Sequence, residues 1–234
     1  MRHSGLAAIA AGLLLSTTGA ALSASKTYEV GSFAAVEISS GIHATIEVGP
    51  AQSVRAESPR QRDLDDLVVE VRNGKLRAYS DWNLLDLFNF TGPRIDMVIT
   101  VPALDDVEAN SGADIALTGI SGETVALTST SGAGIDATGV AGKTIRIEVT
   151  SGANIDVRGA CGNADVEVTS GANLRADRLE CADVDVNASS GASASVFASS
   201  SVKADASSGA NIDVRGKPAS VDIDESSGGD VDIY

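Results

Sequence analysis

The dipeptide Ser-Gly returns at Ser111, Ser131, Ser151, Ser170, Ser190, Ser208 and Ser227, in steps of 20, 20, 19, 20, 18 and 19 residues. A fixed period near 20 means one small unit stacked on itself, not a core assembled from distant segments. Each unit reads Ser-Gly-Ala-x, an alternating strand, a small turn, a second alternating strand, and the next Ser-Gly. In the unit from Ser151, Ile155 and Val157 point one way and Asp156 and Arg158 the other. After ACGN, Val166 and Val168 alternate with Asp165, Glu167 and Thr169. Period-2 alternation of β-branched residues marks half-buried strands, whereas a helix needs apolar spacings of three and four. The segments Ser151–Gly159 and Ser208–Gly216 are identical, SGANIDVRG.

Two short strands per unit do not make a self-sufficient domain. Stacked as parallel strands, the units form a single-stranded parallel β-helix, or β-solenoid. Valines and isoleucines then line up in internal ladders and the Ala after each Ser-Gly packs on its copies. Seven coils at the usual strand spacing give a rod on the order of 34 Å. A sandwich or propeller would need longer units or antiparallel hairpins.

Aromatic residues are only 3 % of the 234-residue chain, while apolar residues reach 43 % and glycine numbers 24. This suits a narrow interior of small and β-branched side chains and does not suit disorder. The net charge of −15 repels phosphate backbones and argues against nucleic-acid partners.

Residues 1–25 read differently. Arg2 and His3 precede an apolar run, Leu6 to Leu15, followed by TTGAALSAS. A basic start, a short apolar core and a small-residue zone describe a secretory signal peptide, with cleavage expected between Ala21 and Ser25. The run is short for a bilayer span, no Cys follows it to carry a lipid, and no second hydrophobic segment occurs. The expectation is an exported protein, periplasmic or at the cell surface, with no transmembrane segment after signal removal.

Cys161 and Cys181 are 20 residues apart and occupy equivalent places in adjacent coils. Stacked one strand spacing apart, they lie within disulfide reach, and export to an oxidising compartment favours the bond. A Cys161–Cys181 disulfide is expected; two stacked reduced thiols are the other reading.

Residues 26–105 are also β, with longer strands and weaker repetition: Ala35–Ile38, Ile42–Val48, a hairpin LVVEVRNGKLRAYS bending at Asn73-Gly74, and RIDMVITVP. They form the first coils or a cap, continuous with the Ser-Gly repeats of 106–234. The opening SFAAVEISSGIHATIEVGP, the NGKLRAYS hairpin, the strand IDMVITVPALDDVEANSG and the Ser-Gly series ending SSGGDVDIY together resemble the putative auto-transporter adhesin head domain, also called the GIN domain. The resemblance covers about residues 29–234 and implies a β-helix exported by bacteria. The family name carries an adhesin label by likeness of architecture, and fold alone does not fix function. An auto-transporter passenger is followed by a membrane barrel. This chain stops at Tyr234, so the expectation is that it does not transport itself.

The residues offer little to catalysis. His43 is the one histidine beyond the signal, in a strand-like run, and a Ser-His-Asp arrangement would have to use it. Zinc clusters, phosphate loops and dinucleotide fingerprints are absent, and no cofactor is expected. Asp136, Asp156 and Asp213 recur at one position, Arg158 and Arg215 at another. Carboxylate pairs can serve as acid and base, yet these follow the repeat, whereas an active site is a local exception. After each Ser-Gly-Ala or Ser-Gly-Gly come Asp114, Gly134, Asn154, Asn173, Ser193, Asn211 and Asp230. Stacked Asn and Asp can bind calcium or simply hydrogen-bond to one another, and no metal site is expected.

The exception to the repeat is Tyr79–Phe90, YSDWNLLDLFNF. Its Tyr79, Trp82, Phe88 and Phe90 are four of the chain's eight aromatics (Trp 1, Tyr 3, Phe 4). The segment is either a cap over the open core or a recognition patch for a glycan, a lipid-like group or a protein. The sequence thus points to a non-catalytic binding or adhesion protein of the bacterial envelope. A polysaccharide-acting β-helix enzyme and a structural or stress-related envelope component are the alternatives.

Overall fold

The computed structural model describes residues 23–81 and 94–234. The elements in chain order are β1 (Ala24–Thr27), β2 (Ala35–Ile38), β3 (His43–Val48), β4 (Ser53–Ser58), α1 (Gln61–Asp65), β5 (Leu67–Arg72), β6 (Lys75–Ser80), β7 (Asp96–Val101), β8 (Asp106–Ala109), β9 (Asp114–Thr118), β10 (Ser121–Ser129), β11 (Gly134–Val149), β12 (Asn154–Val168), β13 (Asn173–Ala188), β14 (Ser193–Ser207), β15 (Asn211–Arg215), β16 (Ser220–Ser226) and β17 (Asp230–Ile233).

From β8 onward every pairing is parallel and each coil lies on the next, giving about six turns of roughly 20 residues. Each coil has two long faces joined at the Ser-Gly turn. The face before the turn, face A, runs through β6, β2, β8, the ends of β10–β14, and β16. The face after it, face B, runs through β7, β3, β9, the starts of β11–β14, β15 and β17. The segment ACGN is no turn. Strands β11–β14 are 15 or 16 residues long and bend through a short third face, with register shifts at the corner. Cys161 and Cys181 are register partners on this short face and are joined by a disulfide, with a Cα–Cα distance of 4.5 Å.

The alternation fills the interior with continuous columns. On face A, Val107, Leu127, Ile147, Val166 and Val186 lie in register. On face B, Ile115, Ile135, Ile155 and Leu174 do the same, and all nine are buried. Burying each such side chain contributes about 1.5–3 kcal/mol, an upper bound because the unfolded chain is itself partly collapsed. Ala113, Ala133, Ala153, Ala172, Ala192 and Ala210 form a further buried column under the turns.

The turn itself has an uncommon backbone. In Thr150–Ala153 the Ala153 N–H donates to the Thr150 carbonyl at 3.2 Å. Both central residues have positive φ, 54° at Ser151 and 71° at Gly152. That is a type I′ geometry, which usually favours Asn-Gly. The left-handed Ser aims its carbonyl along the rod: Gly132 N–H donates to Ser151 O at 3.2 Å, and Gly152 N–H to Ser170 O at 3.1 Å. The turns therefore carry their own hydrogen-bond ladder. It begins earlier than the repeat suggests. Ser40 (φ 63°) and Gly41 (φ 69°) form the same turn, and Gly41 N–H donates to Ser111 O at 3.1 Å.

Residues between these two turns build the other end. The coil β6–β7 stacks on β2–β3 on the side away from β8–β9. Beyond it the strands turn antiparallel. The hairpin β5–β6 closes face A, with its bend at Asn73 (φ 51°) and Gly74 (φ 78°), while β4 and β1 close face B. Phe33, Leu64 of α1 and Leu67 seal the core here. Lys75 reaches across Ala35 to Asp106, 2.9 Å away, and to Glu108, tying β6 to β8 over β2.

Candidate functional site

Ile38 pairs with Ala78 and His43 with Asp96, so where the coil β2–β3 has the four residues 39–42, the coil β6–β7 has residues 79–95 in sequence, the aromatic stretch among them. Tyr79 is half-buried on the outer side of face A, opposite Val68. Trp82, Phe88 and Phe90 lie outside the described residues. Helix α1 holds the chain on both sides of them. Asp81 N–H donates to Asp66 O at 3.1 Å, and Arg94 N–H donates to the buried Asp63 carboxylate at 3.1 Å. Asp63 also accepts from Ser58 Oγ at 3.0 Å and Arg60 Nε at 2.9 Å.

Two residues after Arg94, β7 enters a groove of about 760 Å³ running along face B. Its first column is Asp96, His43, Asp114, Gly134, Asn154 and Asn173, one residue per coil. His43 Nδ1 stands 3.4 Å from Asp114 Oδ2, both largely exposed. Gly134 interrupts the ladder, and a Cβ there would come within 2.8 Å of Asp114 Oδ1. Beyond the gap, Asn173 Nδ2 donates to Asn154 Oδ1 at 3.4 Å. The second column is Val98, Thr45, Ala116, Asp136, Asp156 and Arg175. Val98 is 52 % exposed. The lining is small at Thr45, Ala116 and Gly134, and the far end of the groove carries Asp136, Asp156 and Arg175. Arg158 lies 3.2 Å from Asp156 and 3.8 Å from Asp136.

Face A contrasts with this. Arg146 and Asp165 are 3.7 Å apart, and Lys203 lies 2.9 Å from Asp205 and 3.8 Å from Asp185. Hydrogen bonding to Asp205, then the nearby Asp185 charge, raises the Lys203 pKa. Face A pairs these bases with acids, yet it also sets Glu148 directly opposite Glu167 and Asp205 opposite Asp224. The groove leaves Asp96, Asp114 and an apolar Val98 open to solvent.

Of the residues singled out in the sequence, His43, Asp136 and Asp156 line the groove with Asp114, Gly134, Asn154 and Asn173. Asp213 and Arg215 sit farther along the rod, with Arg215 2.9 Å from Asp177. The cysteines lie on the short face. Val98 and Asp96 escaped sequence reasoning because their columns join β3 and β7, far apart in the chain, and Arg175 escaped because it replaces the Asp found at its place in the neighbouring coil. Among the described residues no group of three or more His, Cys, Asp or Glu is placed to hold a metal ion. No helix among them is long and apolar enough to cross a membrane.

The family model described as "putative auto-transporter adhesin, head GIN domain" matches residues 32–218. A search of curated proteins returns no match. Among solved structures, a putative adhesin from Bacteroides fragilis NCTC 9343 superposes with a TM-score of 0.80 at 14 % identity, covering 91 % of this chain and 97 % of its own. A putative adhesin from Parabacteroides distasonis ATCC 8503 gives 0.70 at 15 % identity, covering 91 % and 97 %. A putative lipid binding protein from the same organism gives 0.63 at 14 % identity, covering 91 % and 96 %. These likenesses share the fold.

Proposed function

Since the chain belongs to the family described as putative auto-transporter adhesin, head GIN domain, we propose that it is an exported, non-catalytic binding module of the bacterial envelope that takes its ligand along the face B groove. The observation carrying this reading is the break in the repeat. Asp, His and Asp give way to Gly134 within the groove lining, and the apolar Val98 stays exposed in the neighbouring column. A local exception in a repetitive surface is where recognition is expected, and a solvent-open groove spanning several coils suits an extended ligand such as a glycan chain. The segment with Trp82, Phe88 and Phe90 precedes Asp96 of the groove closely in sequence, and its aromatics are further candidates for ligand contact.

The test is binding of the signal-free protein to envelope and host-surface glycans, with Gly134→Trp to fill the groove and Val98→Asp to make its apolar spot acidic. Loss of binding at unchanged melting temperature supports the proposal. Undiminished binding by both variants refutes it. Release of new reducing ends or unsaturated sugars would instead establish the enzymatic alternative. Antibody labelling of intact cells separates surface exposure from a periplasmic site.

A further inference from the structure

The two ends of the solenoid are finished differently. At the β5 end, antiparallel strands and α1 cover the core. At the other end, β16 and β17 present their outer edges with no further strand upon them among the described residues. The interior columns run out into solvent. Val202 and Ala204 are 2 % and 0 % exposed, while their partners one coil on, Val221 and Ile223, are 45 % and 39 % exposed. This last coil lies beyond the 32–218 match of the family model.

The two edges are not equivalent. On β17 the Val231 N–H is taken by Glu225 Oε1 at 2.8 Å, which blunts that strand. On β16 the outward side chains are acidic, Asp222 and Asp224. The column leading to Asp222 runs Arg146, Asp165, Asp185, Lys203 and Asp222, with Lys203 set between two acids, and a base beyond Asp222 would likewise sit against an acid. A second copy docking through its own β16 would bring Asp222, Asp224 and Glu225 against the same charges, and like charges directly opposite destabilise a strand pair.

We propose that the free edge of β16, Ser220–Ser226, is a docking site for an extended segment of a partner protein whose alternate side chains are basic and apolar. The backbone of the added strand extends face A. Its apolar residues cover Val221 and Ile223, and its Lys or Arg residues face Asp222 and Asp224. This site is independent of the groove.

The experiment uses the full chain and a labelled heptapeptide of alternating Lys and Val. Its controls are the Glu–Val counterpart and a peptide of the same composition with the valines clustered. The expected result is binding of the Lys–Val peptide at least tenfold tighter than of either control, weakened by salt. The double variant Asp222→Lys, Asp224→Lys, with unchanged circular dichroism, should reverse the preference toward Glu–Val. Equal binding of the clustered peptide, or an unreversed preference in the double variant, overturns the proposal. So does a concentration-dependent dimer at neutral pH that Asp222→Lys, Asp224→Lys abolishes, because a second copy then covers this edge.

Discussion

The amide of Gly132 donates to the carbonyl of Ser151 one coil away, at 3.2 Å, and it can do so because Ser151 holds a left-handed φ of 54°. Side chains other than Gly, Asn and Asp resist that region, at roughly 1–2 kcal/mol per residue. Ser151→Asn should therefore keep the ladder and raise stability by up to about 1 kcal/mol. Ser151→Val, β-branched, should lower it by about 1–2 kcal/mol. Urea unfolding of the two variants checks both signs.

Gly159 sits where face B bends into the short face, at φ 156°, and a Cβ there would overlap the Val140 carbonyl. The obstacle is backbone and cannot rotate away. Gly159→Ala should cost about 3 kcal/mol or more, whereas Gly31→Ala, with nothing within 4 Å of the added Cβ, should be nearly neutral. Thermal melts of the pair give the comparison.

Ser129 stands in the buried face A column between Ala109 and Val149, and its hydroxyl has no hydrogen-bond partner. An unpaired buried hydroxyl is a net cost. Ser129→Ala should stabilise the protein by about 1 kcal/mol, and a fall in melting temperature would contradict this.

Burial works against the charge on Lys75, but its hydrogen bonds to Glu108 and Asp106 outweigh that and raise its pKa above 10.5. A raised folded-state value means the tether contributes fully below the unfolded pKa and is lost as pH climbs through the folded one. Lys75→Met should cost about 1 kcal/mol at neutral pH, leaving Asp106 and Glu108 without their base. The gap between wild type and variant should narrow only in strongly alkaline buffer, as read by unfolding at pH 7 and above pH 10.

The cysteine pair closes a stretch of 20 residues in sequence, for which chain-entropy arguments give about 3 kcal/mol. Denatured, unreduced protein should show no reactive thiol. Reduction, or Cys161→Ser with Cys181→Ser, should lower the melting temperature without loss of β circular dichroism.

Much of this fold is legible because each coil repeats its instructions. The Ser-Gly spacing gives the coil length, and the alternation of Ile155 and Val157 with Asp156 and Arg158 gives the inward face. The turn at Ser40 escaped because Ile42 stands where later coils have Ala and a long stretch separates it from Ser111. The bend through ACGN escaped because a corner made by Gly159 against Val140 depends on the neighbouring coil. The groove was only half legible. Gly134 was visible as the odd member of its column, but Asp96 and Val98 reach that column through a pairing of β7 with β3 that no local pattern encodes.

The stacking of Ser40 on Ser111 bears on how the chain folds. Every other turn meets a neighbour one period away, but these two are separated by roughly seventy residues. The extra loop-closure entropy is modest, about 1 kcal/mol. The ordering it imposes is not. β2 and β3 cannot be enclosed until β6, β7, β8 and β9 have all been made, whereas the later coils can zip up by local contacts alone. Closure of this detour is therefore the step expected to set the folding rate. Substitutions at the β2–β6 and β3–β7 seams should slow refolding, while those in β12 and β13 should chiefly speed unfolding.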